Sequence, residues 1–205
     1  MLKLQSQRWQ SLYHARGRAS DLPALLASLP DAPPIAPLAG NPWYDVWSRV
    51  CDRGTVDTAS FAALPHLVCF AADTRGSRQL EFLSLAAAIE AFRHMPGSPE
   101  IPEDLLGAYT HALTSARAIA CGCLAERWSE EEMRDLVGSI TVFHGHVRLG
   151  AGILLGDEDF SCSACGSVEP LPGYAEIPEP AHGDAEGPDA SEPFVSFSFP
   201  FGRAP

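Results

Sequence analysis

The amino-acid sequence predicts a mostly α-helical protein: consecutive antiparallel helix pairs, as an α-solenoid or a compact bundle, with a small C-terminal β/loop appendage. Three observations carry this. Apolar residues recur every three or four positions through six segments between residues 20 and 140. Those segments open on capping residues and are separated by Pro- and Gly-bearing breaks. From Gly156 the helical period gives way to a Pro-, Gly- and acid-rich texture. The expected division is a helical domain over 1–155 and an acidic, Cys-x-x-Cys-containing β/loop tail over 156–205.

The first helix is expected over 20–29. Ser20 or Asp21 stands at its cap, Pro23 near its start, and Leu22, Leu25, Leu26 and Leu29 fall at helical spacing. Pro30 to Gly40 reads as a connector. Asn41-Pro42 is a cap followed by proline at the first helical position, and Trp43, Val46, Trp47 and Val50 share one face. Gly54 marks the stop. Asp57 or Thr58 caps the next helix, whose stripe is Phe61, Leu64, Leu67, Val68 and Ala71; Pro65 inside it is expected to kink or reset the helix. A third long helix runs over 77–94 and ends at Met95-Pro96-Gly97. Pro102-Glu103-Asp104 opens another, with acids where the helix dipole favours them. Leu106, Tyr109, Leu113, Ala116, Ala120 and Cys123 form its expected stripe. Ser129 with Glu132 three residues on is a capping box, followed by Met133, Leu136, Val137 and Ile140. Thr141 to Leu155 reads either as a further helix with glycine contacts or as irregular structure. In the tail, Phe160, Cys162 and Cys165-Gly166 suggest strand, knuckle and strand. Phe194 to Phe199 alternates with the period of a short strand.

Charge is unevenly placed. Residues 1–155 hold 16 acids against 13 bases, whereas residues 156–205 hold ten acids against one base, Arg203. A surface of that sign repels nucleic-acid phosphates and anionic membranes and favours a basic partner. Asp157, Glu158 and Asp159 are the candidate partner-binding patch, the alternative being a solvated acidic turn. The N-terminal residues carry charge with no apolar run behind it, and no apolar stretch reaches the length of a membrane span. The expected location is the cytoplasm. In that reducing setting Cys51, Cys69, Cys121 and Cys123 are expected to be small packing residues.

Only Cys162-Ser163-Ala164-Cys165-Gly166 has a spacing that suggests chemistry. Two thiolates three positions apart, followed by glycine, match half of a structural zinc site. No second such pair follows; His144, His146 and His182 are the remaining ligand types. The pair is therefore either a zinc half-site or a knuckle without metal. His144-Gly145-His146 has no acid at a telling spacing, and no phosphate-binding loop, nucleophile elbow or zinc-protease helix is present. An enzyme is not expected.

Trp43-Tyr44-Asp45-Val46-Trp47, followed by Gly54-Thr55-Val56-Asp57-Thr58-Ala59-Ser60-Phe61-Ala62-Ala63-Leu64-Pro65-His66-Leu67, resembles a motif of bacterial HEAT-like helical-repeat proteins. Ala19-Ser20-Asp21-Leu22-Pro23 and the late Cys-x-x-Cys-Gly resemble the same group. Where its members often carry a His-Gln pair before the glycine, this chain has Asp52-Arg53. The resemblance implies a protein-binding helical scaffold, and in some genomic settings an immunity protein that blocks a cognate toxin. The alternative is a zinc-bearing structural or regulatory scaffold unrelated to toxins. Metal analysis of the purified chain separates the two states of the knuckle: stoichiometric zinc that vanishes in Cys162→Ser marks a site, and zinc-free wild-type protein marks a bare turn.

Overall fold

The computed structural model describes residues 1–32, 41–52, 54–155, 159–161 and 168–170, the last six and Leu155 by backbone alone. Seven helices are seen among them: α1 (Leu22–Ser28), α2 (Pro42–Val50), α3 (Thr58–Asp73), α4 (Ser77–Arg93), α5 (Glu103–Cys123), α6 (Glu130–Phe143) and α7 (Val147–Leu155). A short 3-10 turn, Gln7–Ser11, and a two-residue antiparallel hairpin, β1 (Tyr13–His14) with β2 (Gly17–Arg18), precede them. After α7 a second hairpin pairs β3 (Asp159–Ser161) with β4 (Val168–Pro170), Asp159 opposite Pro170. The chain is thus mostly α, built of packed helix pairs with a small C-terminal hairpin. Phe194–Phe199, the expected terminal strand, lies outside the described residues.

The caps explain several of the boundaries. Asn41 Oδ1 accepts from the Trp43 N–H at 2.9 Å, and Ser129 Oγ accepts from the Glu132 N–H at 3.2 Å while Glu132 Oε2 accepts from the Ser129 N–H at 3.0 Å. Asp21 sits at the cap of α1 but makes no capping bond; its carboxylate is held by His14 and Arg49 instead. Gly54 adopts φ +79° in the turn between α2 and α3, and a Cβ there would stand 3.1 Å from Phe92 Cε1, so glycine meets both the backbone and the space requirement.

The helix α4 is the centre of the structure. Every residue from Gln79 to Phe92 except Glu81 is buried. It folds back on α3 through a three-residue break, with Phe70 and Phe82 in ring contact at 5.4 Å. Trp43 of α2 meets Phe82 from another side at 4.8 Å, and the Arg78 guanidinium lies over the same Trp43 ring at 4.8 Å. Arg78 also donates to Leu29 O and Ala32 O, fixing the chain that leaves α1. α5 packs beside α3, where Phe61 and Tyr109 meet edge to face at 5.6 Å, a contact worth about 1 kcal/mol beyond burial. α6 runs alongside α4 in the same direction: Ser77 donates to Glu132 at the start, and Ala87 and Ala91 share an apolar cluster with Val142 farther along.

α3 is a single helix through Pro65, so the reset expected there does not occur. It is buried without a break from Ala59 to Val68; packing on this scale outweighs the roughly 3 kcal/mol that an interior proline costs. The expected stripe on α5 is shifted in phase. Leu105, Tyr109, Ala112, Ala116, Ala120 and Cys123 face inward, while Leu106 is 48% exposed. Val137 of α6 also points outward, at 40%.

Residues 141–155 resolve into the end of α6, a turn, and a second antiparallel pair, α6 with α7. Two glycines set its spacing. A Cβ on Gly138 would lie 2.7 Å from Leu154 Cγ, and a Cβ on Gly150 would lie 2.5 Å from Val142 Cγ2 and 2.8 Å from the Gly138 carbonyl oxygen. Backbone therefore packs on backbone. Gly152, on the same helix, has nothing within 4 Å of an added Cβ. Gly150→Ala is expected to destabilise the protein by about 1–3 kcal/mol through overpacking, and Gly152→Ala to stabilise it by up to about 1 kcal/mol through helix propensity. Urea unfolding of the two single variants beside the wild type checks the sign difference; equal shifts would contradict the close approach.

Candidate functional site

Four groups of polar side chains stand out, and they differ in whether their hydrogen-bonding capacity is already used. The first ties the N-terminal hairpin to α1 and α2. His14 is buried; its Nδ1 accepts from the Arg16 N–H at 3.0 Å, so the ring proton sits on Nε2 and is donated to Asp21 Oδ1 at 2.9 Å. Arg49 Nε donates to the other Asp21 oxygen at 2.8 Å. Partial burial raises the Asp21 pKa, but the bonds from His14 and Arg49 outweigh it and hold the carboxyl below its ordinary range. Both imidazole nitrogens are committed, which leaves no base for catalysis.

The second group lies where α4 ends against α5. Glu90 is buried and receives Arg93 through two bonds (2.8 and 2.6 Å) and the Tyr109 hydroxyl at 2.6 Å, while His94 Nε2 lies 2.9 Å from Arg93 Nη2 and 3.1 Å from Glu90 Oε1. Burial opposes its charge, yet these donors overcome that and hold Glu90 below the usual carboxylate pKa. Burial, then the Glu90 charge, pushes the Tyr109 phenol upward. This is a satisfied clamp between two helices, and removing one member would leave a buried charge short of a partner. His66 plays a smaller part of the same kind: buried on α3, it bonds Leu2 O at 2.8 Å and packs against Trp9 and Phe70. That agrees with a packing histidine.

The third group is unsatisfied. Ser84 of α4 and Ser139 of α6 are 3% and 0% exposed, and neither hydroxyl has a hydrogen-bond partner. Both lie in the stretch of the α4–α6 contact between the Ser77–Glu132 bond and the Ala87–Val142 cluster. Asp135, one helical turn before Ser139, is 6% exposed. Burial first, then the Glu131 charge, raises its pKa to about 7, with Arg134 opposing and Glu132 adding to the rise.

The fourth group is on the surface. Arg117 Nε of α5 donates to His144 Nε2 at 3.1 Å, and Cys121 Sγ, one turn along α5, lies 3.7 Å from the same nitrogen. Cys121 and Cys69 are exposed, whereas Cys51 and Cys123 are buried. The expectation of four packing cysteines therefore holds for two. Cys123 lies on the buried face of α5, and Cys121, two residues earlier, lies off it.

Of the residues singled out from sequence, Asp159 opens β3, whereas Asp157, Glu158, Cys162 and Cys165 lie outside the described residues. His144 and His146 do not form a pair with a shared ligand position: His144 turns to Arg117 and Cys121, and both are exposed. Among the described residues, no three of His, Cys, Asp and Glu converge as metal ligands, and no helix is long and apolar enough to cross a membrane. Glu90, Arg93 and His94 stand at helical spacing in the sequence, but the bonds that complete the clusters, Tyr109 to Glu90 and Arg49 to Asp21, join different helices and are set by packing.

Asp135 supplies a pH test. Its folded pKa stands above the unfolded value of 3.8, so ionisation costs stability as pH rises from about 4 through 7. Asp135→Asn is expected to gain on the wild type between pH 5 and pH 8 by on the order of 2–4 kcal/mol. Urea melts of both proteins at the two pH values measure the difference; parallel pH curves would contradict the raised pKa.

No family model, curated protein or solved structure matches the chain.

Proposed function

We propose that this chain is a cytoplasmic protein-binding scaffold, and that its partner is a toxin with a basic face, which it neutralises by covering it. The observation that carries the reading is the segregation of charge: ten acids against one base over residues 156–205, beside a helical part that is close to balanced. A field of that sign draws a basic protein into a fast, oriented encounter, and a rigid helical face then supplies the area that excludes the toxin's own substrate. In the sequence, Asp157, Glu158 and Asp159 come one residue after the end of α7, the helix locked against α6 by the glycine contacts. The segment around Trp43 and Gly54 to Leu67, which resembles bacterial helical-repeat proteins, supports the toxin-binding part of the reading. The role needs no active site, and the Asp21 and Glu90 clusters are committed to holding the fold.

The test is protection. Co-expression of this chain with the toxin encoded beside its gene is expected to restore growth, and the purified pair to bind with an affinity that falls as salt rises. Neutralising the patch with Asp157→Asn, Glu158→Gln and Asp159→Asn together is expected to slow association by about tenfold at low salt with a smaller effect on dissociation. Absence of both protection and binding would sink the proposal. Binding with salt-independent association would remove the acidic patch from it.

A further inference from the structure

We propose that Cys121 is a nucleophilic thiol with His144 as its proton acceptor, and that it takes small anionic disulfides, forming a mixed disulfide on the exposed side of α5. The geometry decides the direction of proton transfer. A guanidinium has only donors, so the 3.1 Å bond from Arg117 Nε requires a lone pair on His144 Nε2 and places the ring proton on Nδ1. The Cys121 thiol, 3.7 Å from that nitrogen, gives its proton to it when the Arg117 N–H swings from the nitrogen to the nascent thiolate, whose charge the guanidinium then pairs. Arg117 precedes Cys121 by one helical turn on the same helix, which puts a fixed positive charge beside the sulfur and beside any anionic group an incoming disulfide carries.

Access is open. Cys121 and His144 are both exposed. The neighbouring Gly122, and Gly145 at φ +89° in the turn after α6, would each have nothing within 4 Å of an added Cβ. The other cysteines among the described residues provide the contrast. Cys51 and Cys123 are buried, and burial pushes both thiols up. Cys69 is exposed on α3 but has no hydrogen-bond partner among the described residues. It is the control for exposure without a base.

The reaction is a thiol–disulfide exchange. The Cys121 proton passes to His144 Nε2 as Sγ attacks one sulfur of the incoming disulfide. The new Sγ–S bond forms, the old S–S bond breaks, and the departing thiolate takes the proton back from the imidazolium and leaves as a thiol. The disulfide is the oxidant and no other is needed. This inference is independent of the partner-binding role.

The full-length chain, fully reduced, is treated at low conversion with neutral dithiodipyridine or with dianionic dithiobis(nitrobenzoate), quenched, and mapped by peptide mass spectrometry. At pH 7 Cys121 is expected to react roughly tenfold faster than Cys69. His144→Gln is expected to bring Cys121 down to the Cys69 rate with the neutral reagent, and Arg117→Gln to slow the dianionic reagent more than the neutral one. Near pH 10, where a thiol ionises without help, the effect of His144→Gln is expected to disappear. The Cys69 rate in each variant reports that the fold is intact. Equal rates at Cys121 and Cys69 in the wild type at pH 7, or a Cys121 rate unchanged by His144→Gln, would overturn the proposal.

Discussion

The burial of α4 on every side is the constraint on which the rest depends. A helix with one apolar stripe rests on one neighbour; a helix buried from Gln79 to Phe92 must be surrounded. The surrounding elements follow from its side chains. Phe82 gathers Trp43 and Phe70, bringing α2 and α3 to one end. Ala87 and Ala91 leave room for Val142 and Leu154, bringing α6 and α7 to the other. Small residues in the second half of α4 permit the approach; larger ones would hold the second helix pair away.

A surrounded helix must also dispose of its polar groups, and α4 shows three outcomes. Gln79 is satisfied on both sides of its amide, donating to Ala71 O and accepting from Cys123 Sγ. Glu90 is charged and collects enough donors to remain so. Ser84 has no partner. The neighbouring α6 carries Ser139, also orphaned, and Asp135, whose pKa burial raises to about 7. Each unsatisfied buried group of this kind costs about 1–3 kcal/mol. The tight α6–α7 pair, with Gly150 against the α6 backbone, supplies dispersion contacts that offset this cost.

The legible part of the fold was the part written in local chemistry. Asn41-Pro42 and Ser129 with Glu132 announce helix starts because a cap bond spans only two or three residues, and those boundaries agree with the structure. The glycines of 138–152 announce close contact, but their partners lie about twelve residues away, so the sequence left two readings. Pro65 misleads because its local cost is visible while the burial that outweighs it is not. Leu105 and Leu106 illustrate phase: two adjacent leucines fit a stripe equally well, and only the position of α3 chooses between them. The first 19 residues carry no periodicity at all. Their order comes from distant anchors, Leu2 to His66 and Arg8 to Asp104, neither of which a window along the chain contains.

Valence accounting separates groups that hold the fold from groups that have capacity left. In the Asp21 and Glu90 clusters every charged member meets a complementary one, and His14 has spent both nitrogens. His14 and Glu90 are ionisable and buried, the usual marks of a catalytic site, yet a substrate would have to break a clamp to reach them. At Arg117, His144 and Cys121 the balance differs. One imidazole lone pair is offered two donors, so one of them is always underused, and the loser is a thiol open to solvent. Perturbed titration alone would rank the buried clusters first. Spare capacity combined with exposure ranks the surface group above them, and it does so without any assumption about what the acidic tail binds.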